Sequence, residues 1–263
     1  GGAFHGEGGE FSQGGAQGFG GETGEVTWVP DPSWTCGMPD GIPPPALGEP
    51  VFVATLSLGA THEVGQSQYG ERSILDVTGG TLVGPNIEAS FLEGGLELVL
   101  ALENGAFELE GLNVLRESDQ TLIYVRSCGL LPSGEGNGRV VFDFDVATSS
   151  PLAWLNTGTF VGTRTVDEDN GQITLEVSEI SEVSLPTSRL VVTDPEGVPE
   201  QPWECSTATG TSGDSVFTET VTLSDSLSVG ATERGTRNII PITGGTVSGG
   251  ISGSVLFGGG DYQ

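Results

Sequence analysis

The chain has no lysine: all eight basic residues are arginine, set against 36 acidic ones, for a net charge of −28. So one-sided a surface repels nucleic acid and anionic membranes, which removes both as expected partners. It keeps a glycine-rich protein soluble, fits an extracellular or acidic milieu, and could recruit cations weakly. Histidine is nearly missing too. Only His5 and His62 occur, neither beside a Ser-Gly elbow or a cysteine, so nucleophilic triads have almost no material. His62 lies in the polar stretch GATHEVGQ and reads as an exposed loop residue. No apolar run reaches the roughly 18 to 20 residues needed to span a bilayer. There is no CxxC pair, no Cys/His cluster and no EF-hand spacing, so neither a metal site nor a cofactor is expected.

Long helical periodicity is also absent. What fills the chain instead is glycine (44 residues) between short runs rich in β-branched and aromatic residues, such as VFVATLSL, TLIYVRS and RVVFDFDVA. The expected class is all-β. The first residues, GGAFHGEGG, carry no initiator methionine and no signal peptide, which suggests a chain that begins after processing or is a piece of something longer. No N-x-S/T sequon occurs, although ECSTATGTSGDS would tolerate O-linked sugars.

The strongest signal is an internal repeat at an ungapped offset of 165 residues. Phe52, Thr55, Leu58, Val64, Gly70, Arg72, Ile74 and the TGGT of 78–81 fall on Phe217, Thr220, Leu223, Val229, Gly235, Arg237, Ile239 and the TGGT of 243–246. The lead-ins VPDPSWTC (29–36) and VPEQPWEC (198–205) match in register as well. We therefore expect a lead-in at 29–48, a complete β domain at 49–180, a linker with a second lead-in at 181–213, and the first half of a second such domain at 214–263.

A half-built β domain leaves open sheet edges and an uncovered apolar face. The amino-terminal residues 1–28 supply candidates to cover them. GGAFHGEGGEF is similar to NGAFELEGLNV at 104–114, and GEVTWVP at 24–30 is similar to the closing strand GQITLEV at 171–177. The expectation is that Gly2, Phe4, Phe11, Val26 and Trp28 meet Ile251, Val255 and Phe257 of the second copy. The completing segment belongs either to a neighbouring chain, head to tail, or to a longer tandem polypeptide. A plainer reading leaves 1–28 as a glycine-rich tail.

The elements TGGTLVGP, GG, TLIYVRSCG and LAWLNTGTFVGT, in that order, resemble the family called domain of unknown function 3237. The resemblance covers about 49–180 and, truncated, 214–263, and it implies a compact antiparallel β-barrel with no firmly assigned activity. Family members commonly place an acidic and an aromatic residue after the second double glycine, as Asp261 and Tyr262 do here. In the ungapped alignment Leu96 stands opposite Asp261, so the complete copy is expected to lack that acid.

Three cysteines follow the repeat: Cys36 and Cys205 are equivalent lead-in residues, and Cys128 lies in the complete barrel. A Cys36–Cys128 disulfide is expected, with Cys205 unpaired or bonded to another chain. Asp143 and Asp145 of FDFDV would share one face of a strand, which suits a cation or acid/base work, but alternation with Phe142 and Phe144 reads first as a solvated face. The DNG at 169–171 reads as a type I′ hairpin turn. If a ligand enters the barrel mouth, Arg72, Tyr124, Arg126, Trp154 and Asn156 are the candidates to line it. The simpler alternative pairs both arginines with nearby acids and puts Trp154 in the core.

Taken together, these features suggest a secreted structural protein, not an enzyme, that partners itself in a filament or surface layer. A secreted small-ligand-binding or isomerase-like barrel is the alternative.

Overall fold

The computed structural model describes residues 48–67, 70–134, 136–180 and 213–262. Nine strands build the first unit: β1 (Phe52–Ser67), β2 (Gly70–Gly84), β3 (Ile87–Phe91), β4 (Gly95–Ala101), β5 (Phe107–Glu117), β6 (Leu122–Leu131), β7 (Gly138–Val146), β8 (Phe160–Asp167) and β9 (Gln172–Glu179). A 3₁₀ turn at Ala153–Asn156 separates β7 from β8. Every pairing is antiparallel, and the order β1-β9-β8-β7-β6-β5 returns to β1 through β4 and β2. The all-β class expected from the β-branched runs, and the antiparallel barrel that the family resemblance implies, are the architecture observed.

Period-two alternation decides which side chains enter it. Phe52, Ala54 and Leu56 of β1, Ile123 and Val125 of β6, Phe142 and Phe144 of β7, and Ile173, Leu175 and Val177 of β9 all point into one core. Phe52 sits among Phe142, Phe144 and Phe160 at centroid distances of 6.4, 5.8 and 5.9 Å. These aromatic contacts add specificity to area burial. The 3₁₀ turn closes one end, where Asn156 clamps the backbone of Val146, accepting from its N–H at 2.8 Å and donating to its carbonyl at 2.9 Å.

Glycine lets two strands approach at one repeated point. Gly80 has φ 143°, and a Cβ there would collide with the carbonyl oxygen of Thr55; Gly245 has φ 155° and stands in the same relation to Thr220. The TGGT motif thus marks a backbone contact that no side chain tolerates.

The second unit comprises β10 (Phe217–Leu223), β11 (Leu227–Thr232), β12 (Gly235–Gly249), β13 (Gly253–Val255) and β14 (Gly260–Tyr262), with β12 paired to the other four. β10 and β11 occupy the two halves of β1, and β12 corresponds to β2. The register is the same: Val53 faces Val83 as Thr218 faces Ser248, and Thr55 faces Thr81 as Thr220 faces Thr246.

Two local expectations are corrected. His62 lies within β1, not in a loop, and its Nε2 is 3.0 Å from Asp76 Oδ2 on β2, half-buried. The β8–β9 connection is a hairpin, but not type I′: that turn needs positive φ at both central residues, whereas Asn170 has none and Gly171 alone is left-handed, at 60°. Asp167 holds the turn by accepting from the Asn170 N–H at 3.1 Å, which favours an ordinary right-handed bend.

Candidate functional site

Three features concentrate chemistry: a buried ionic junction between the units, a polar cluster inside the barrel, and an exposed apolar row on β10 of the second unit.

The junction forms on the outer face of β6 and β7. Asp143 and Asp145 point away from the core because Phe142 and Phe144 point in. They are nevertheless only 2% and 1% exposed, since β11 and β12 lie over them. This overturns the solvated-face reading. Arg126 pairs with Asp143 from the neighbouring strand. Arg234 Nη2 reaches Asp143 Oδ1 at 2.5 Å and its Nη1 lies 3.3 Å from Asp145 Oδ1. Arg237 Nε meets Asp145 Oδ2 at 2.5 Å while its guanidinium stacks 4.7 Å from the Tyr124 ring centre. Burial raises the Tyr124 hydroxyl above its usual range, and the arginines oppose that. Around this core Val114, Leu122, Tyr124, Val229 and Ile239 form an apolar cluster. The carboxylates, earlier a candidate for cation or acid/base work, are taken up by arginine.

The barrel interior holds the second cluster. Glu97 of β4 accepts from Asn113 Nδ2 at 3.2 Å, and its Oε2 lies 3.5 Å from Arg164 Nε. All three are buried. Burial pushes the Glu97 carboxyl above its usual range, while Arg164 and Asn113 pull it back. Two glycines make the room: a Cβ on Gly111 would come within 2.6 Å of Glu97 Oε1, and one on Gly95 would overlap Asn113 Oδ1. A small cavity bounded by Asn113, Ser127, Phe52, Phe91 and Phe144 adjoins this cluster.

Glu97 also corrects the alignment of the two copies. Glu97 faces Leu75, and Asp261 faces Ile240, the counterpart of Leu75. After β12 the second copy runs one residue short, so Asp261 corresponds to Glu97 and not to Leu96. The complete barrel does carry the acid. An ungapped comparison misses it because a one-residue slip in a strand reverses the side facing inward.

The five residues expected at a barrel mouth do not converge. Tyr124 and Arg126 face the junction; Arg72 lies on β2 opposite Leu100; Trp154 packs on Phe160 at 5.6 Å; Asn156 is spent on Val146. Glu97, Asn113 and Arg164 form no local motif in the sequence because three separate strands contribute them. Alternation within β4 and β5 was the available signal.

The third feature is exposure. Phe217 and Val221 of β10 are 47% and 38% exposed, whereas their counterparts Phe52 and Leu56 are 2% and 0%. Among the described residues β10 pairs with β12 alone, while β1 also pairs with β9. Ile251 and Phe257 are exposed and Val255 half-buried. Gly2, Phe4, Phe11, Val26 and Trp28 lie outside the described residues, as do Cys36 and Cys205; Cys128 is buried on β6. No helix among the described residues is long and apolar enough to cross a membrane.

No curated protein matches the chain. Solved structures that do include a conserved protein of unknown function from Rhodopseudomonas palustris (23% identity, 51% of this chain and 96% of that one, TM-score 0.46). A β-barrel-like protein from Acinetobacter baumannii is 25% identical over 53% of this chain and 99% of its own, with TM-score 0.46. An enzyme from Penicillium herquei is 25% identical over 52% and 97%, with TM-score 0.39. The family model described as "Protein of unknown function (DUF3237)" matches residues 46–180 and 212–263, most of the sequence, in the same two segments that the repeat delineates, and the chain therefore belongs to the DUF3237 family.

Proposed function

We propose that this chain is a secreted structural protein that assembles head to tail into a filament or surface layer, its second unit being covered by strands of a neighbouring copy. One observation carries the reading. β10 exposes Phe217 and Val221 at the positions where the complete barrel buries Phe52 and Leu56. Exposed apolar rows on an open edge are a template for another strand. A contact between two different surfaces of one molecule repeats head to tail, and where its rotation does not close a ring it gives a linear polymer. Electron microscopy and sizing at neutral pH should show long polymers. Deleting residues 1–28 should abolish them and leave the 49–180 barrel folded by circular dichroism; unchanged polymers after the deletion would refute strand exchange.

A Cys36–Cys128 disulfide belongs to the same proposal, since an oxidising compartment would let it tie the lead-in to β6. Peptide mapping should recover that bridge, and a free Cys128 thiol would exclude it.

A second reading has one observation in its favour. The buried Glu97–Asn113–Arg164 cluster beside an aromatic cavity is the sort of polar group set that orients a small ligand. Discrete monomers, together with a small-molecule-dependent rise in melting temperature lost in Glu97→Gln, would favour it over assembly.

A further inference from the structure

Within the assembly reading, on which this step rests, the complete barrel specifies which segment covers β10 and in what register. β9 pairs with β1 antiparallel, with Ser57 opposite Gln172, Leu56 opposite Ile173, Thr55 opposite Thr174, Ala54 opposite Leu175 and Val53 opposite Glu176. Moving β1 onto β10 by the repeat offset, and β9 onto GEVTWV by their sequence similarity, produces a definite set of pairs. Val221 stands opposite Val26, Thr220 opposite Thr27 and Glu219 opposite Trp28.

Three features of the residues agree with that register. The Thr55–Thr174 pair recurs as Thr220–Thr27, a cross-strand combination that stabilises antiparallel pairs. Gly171, left-handed at φ 60°, offers its carbonyl to the Leu58 N–H at 2.8 Å; the corresponding residues are Gly24 and Leu223, the same glycine and the same leucine. Where the second copy replaces inward Ala54 by Glu219, the opposing segment replaces Leu175 by Trp28, whose indole N–H is a donor for a carboxylate. In that register the two changes would compensate each other, because a carboxylate facing leucine in a closed barrel would be left unpaired.

We infer that residues 24–29 of a second copy of this chain add to the edge of β10 that no described strand occupies, as an antiparallel strand, in the register that sets Thr27 opposite Thr220 and turns Val26 and Trp28 inward. Partner and surface are thus the same molecule at two places, and the interaction is strand addition with a fixed register.

The test uses full-length chains carrying one new cysteine each. Thr27→Cys in one chain and Thr220→Cys in the other are mixed and oxidised, and the linked peptides are identified by mass spectrometry. Both threonines correspond to outward positions, so the substitutions spare the packed face. Directly opposed residues have Cα atoms within disulfide range, whereas a two-residue shift moves them out of it. A 27–220 bridge between different chains, at several-fold higher yield than the bridge from Thr27→Cys to Thr218→Cys, is the expected result. Polymers without that bridge, or with the shifted bridge dominant, would overturn the register and leave the assembly reading standing. Absence of both polymers and bridges would overturn both. A bridge that forms only inside a chain carrying Thr27→Cys and Thr220→Cys together would overturn the second-copy assignment, because the chain would then be covering its own edge.

Discussion

Asp143 and Asp145 are where local pattern and environment part company most sharply. Alternation with phenylalanine places both on the outer face of β7, and in most sheets that face is wet. Here two arginines from β12 and its preceding turn, Arg234 and Arg237, cover it. Removing one member of a buried ion pair leaves the other charged and undersolvated, at a cost of about 3–5 kcal/mol. Arg237→Ala should therefore loosen the second unit from the first. Hydrogen exchange in β11 and β12 should accelerate sharply while β6 to β9 remain protected; unchanged exchange would mean the junction is held by its apolar cluster alone.

Glu108 provides a pH-dependent effect at the same scale. Its carboxyl is pushed up from 4.5 to about 7, first by burial and then by Glu110, with Arg72 opposing, and its Oε2 is buried without a hydrogen-bond partner. An acid raised in the folded state binds its proton more tightly there than in the unfolded chain. The sign is thus unfavourable on ionisation: stability falls as pH climbs from 4.5 to about 7 and is level above that. Glu108→Gln should flatten that slope in urea denaturation across the same window. Glu97, raised in the same direction by burial, should leave a residual slope of the same sign.

Among the elements, the β1–β2 pair and its copy in β10 and β12 show how much of a strand pair glycine can dictate. Gly80 and Gly245 each press against the backbone of the adjacent strand with positive φ. Alanine at either position meets carbonyl oxygen that cannot move without breaking the ladder. Overpacking of this kind costs about 1–3 kcal/mol or more. Gly80→Ala should lower the midpoint of the cooperative unfolding transition, whereas Gly245→Ala should leave that transition nearly unchanged and affect only exchange in β10 to β12. Equal effects would argue that the two units unfold as one.

The strands themselves were legible from β-branched runs, alternation and the TGGT repeats. The turn at 168–171 was legible as a hairpin, but its type was not. DNG permits a type I′ bend, and the outcome was settled by Asp167, whose carboxylate accepts from the Asn170 backbone at 3.1 Å. His62 departs from its expected loop for a related reason: a polar stretch has the look of a loop unless a facing strand is known, and β2 provides both the pairing and Asp76.

For the molecule as a whole, the two units share a register but differ in what covers them. Val229 is 6% exposed under the junction, while its counterpart Val64 is 58% exposed. The Val-Gly pair that both copies share is thus interface in one copy and surface in the other. The proposed assembly extends that asymmetry outward, with β10 in place of β1 and a strand from another copy in place of β9.

Some properties follow from composition and order alone: an all-β class from β-branched runs and missing helical period, a repeat from recurring glycines, a net charge of −28 from the excess of acids. Each depends on a residue and its near neighbours, or on a sum over the chain. Which carboxylates are dry, which acid matches Asp261, and whether an apolar strand face is covered depend on residues brought together across strands. Such facts belong to the packed molecule, because burial and ion pairing are set by distance in space, to which spacing along the chain is blind.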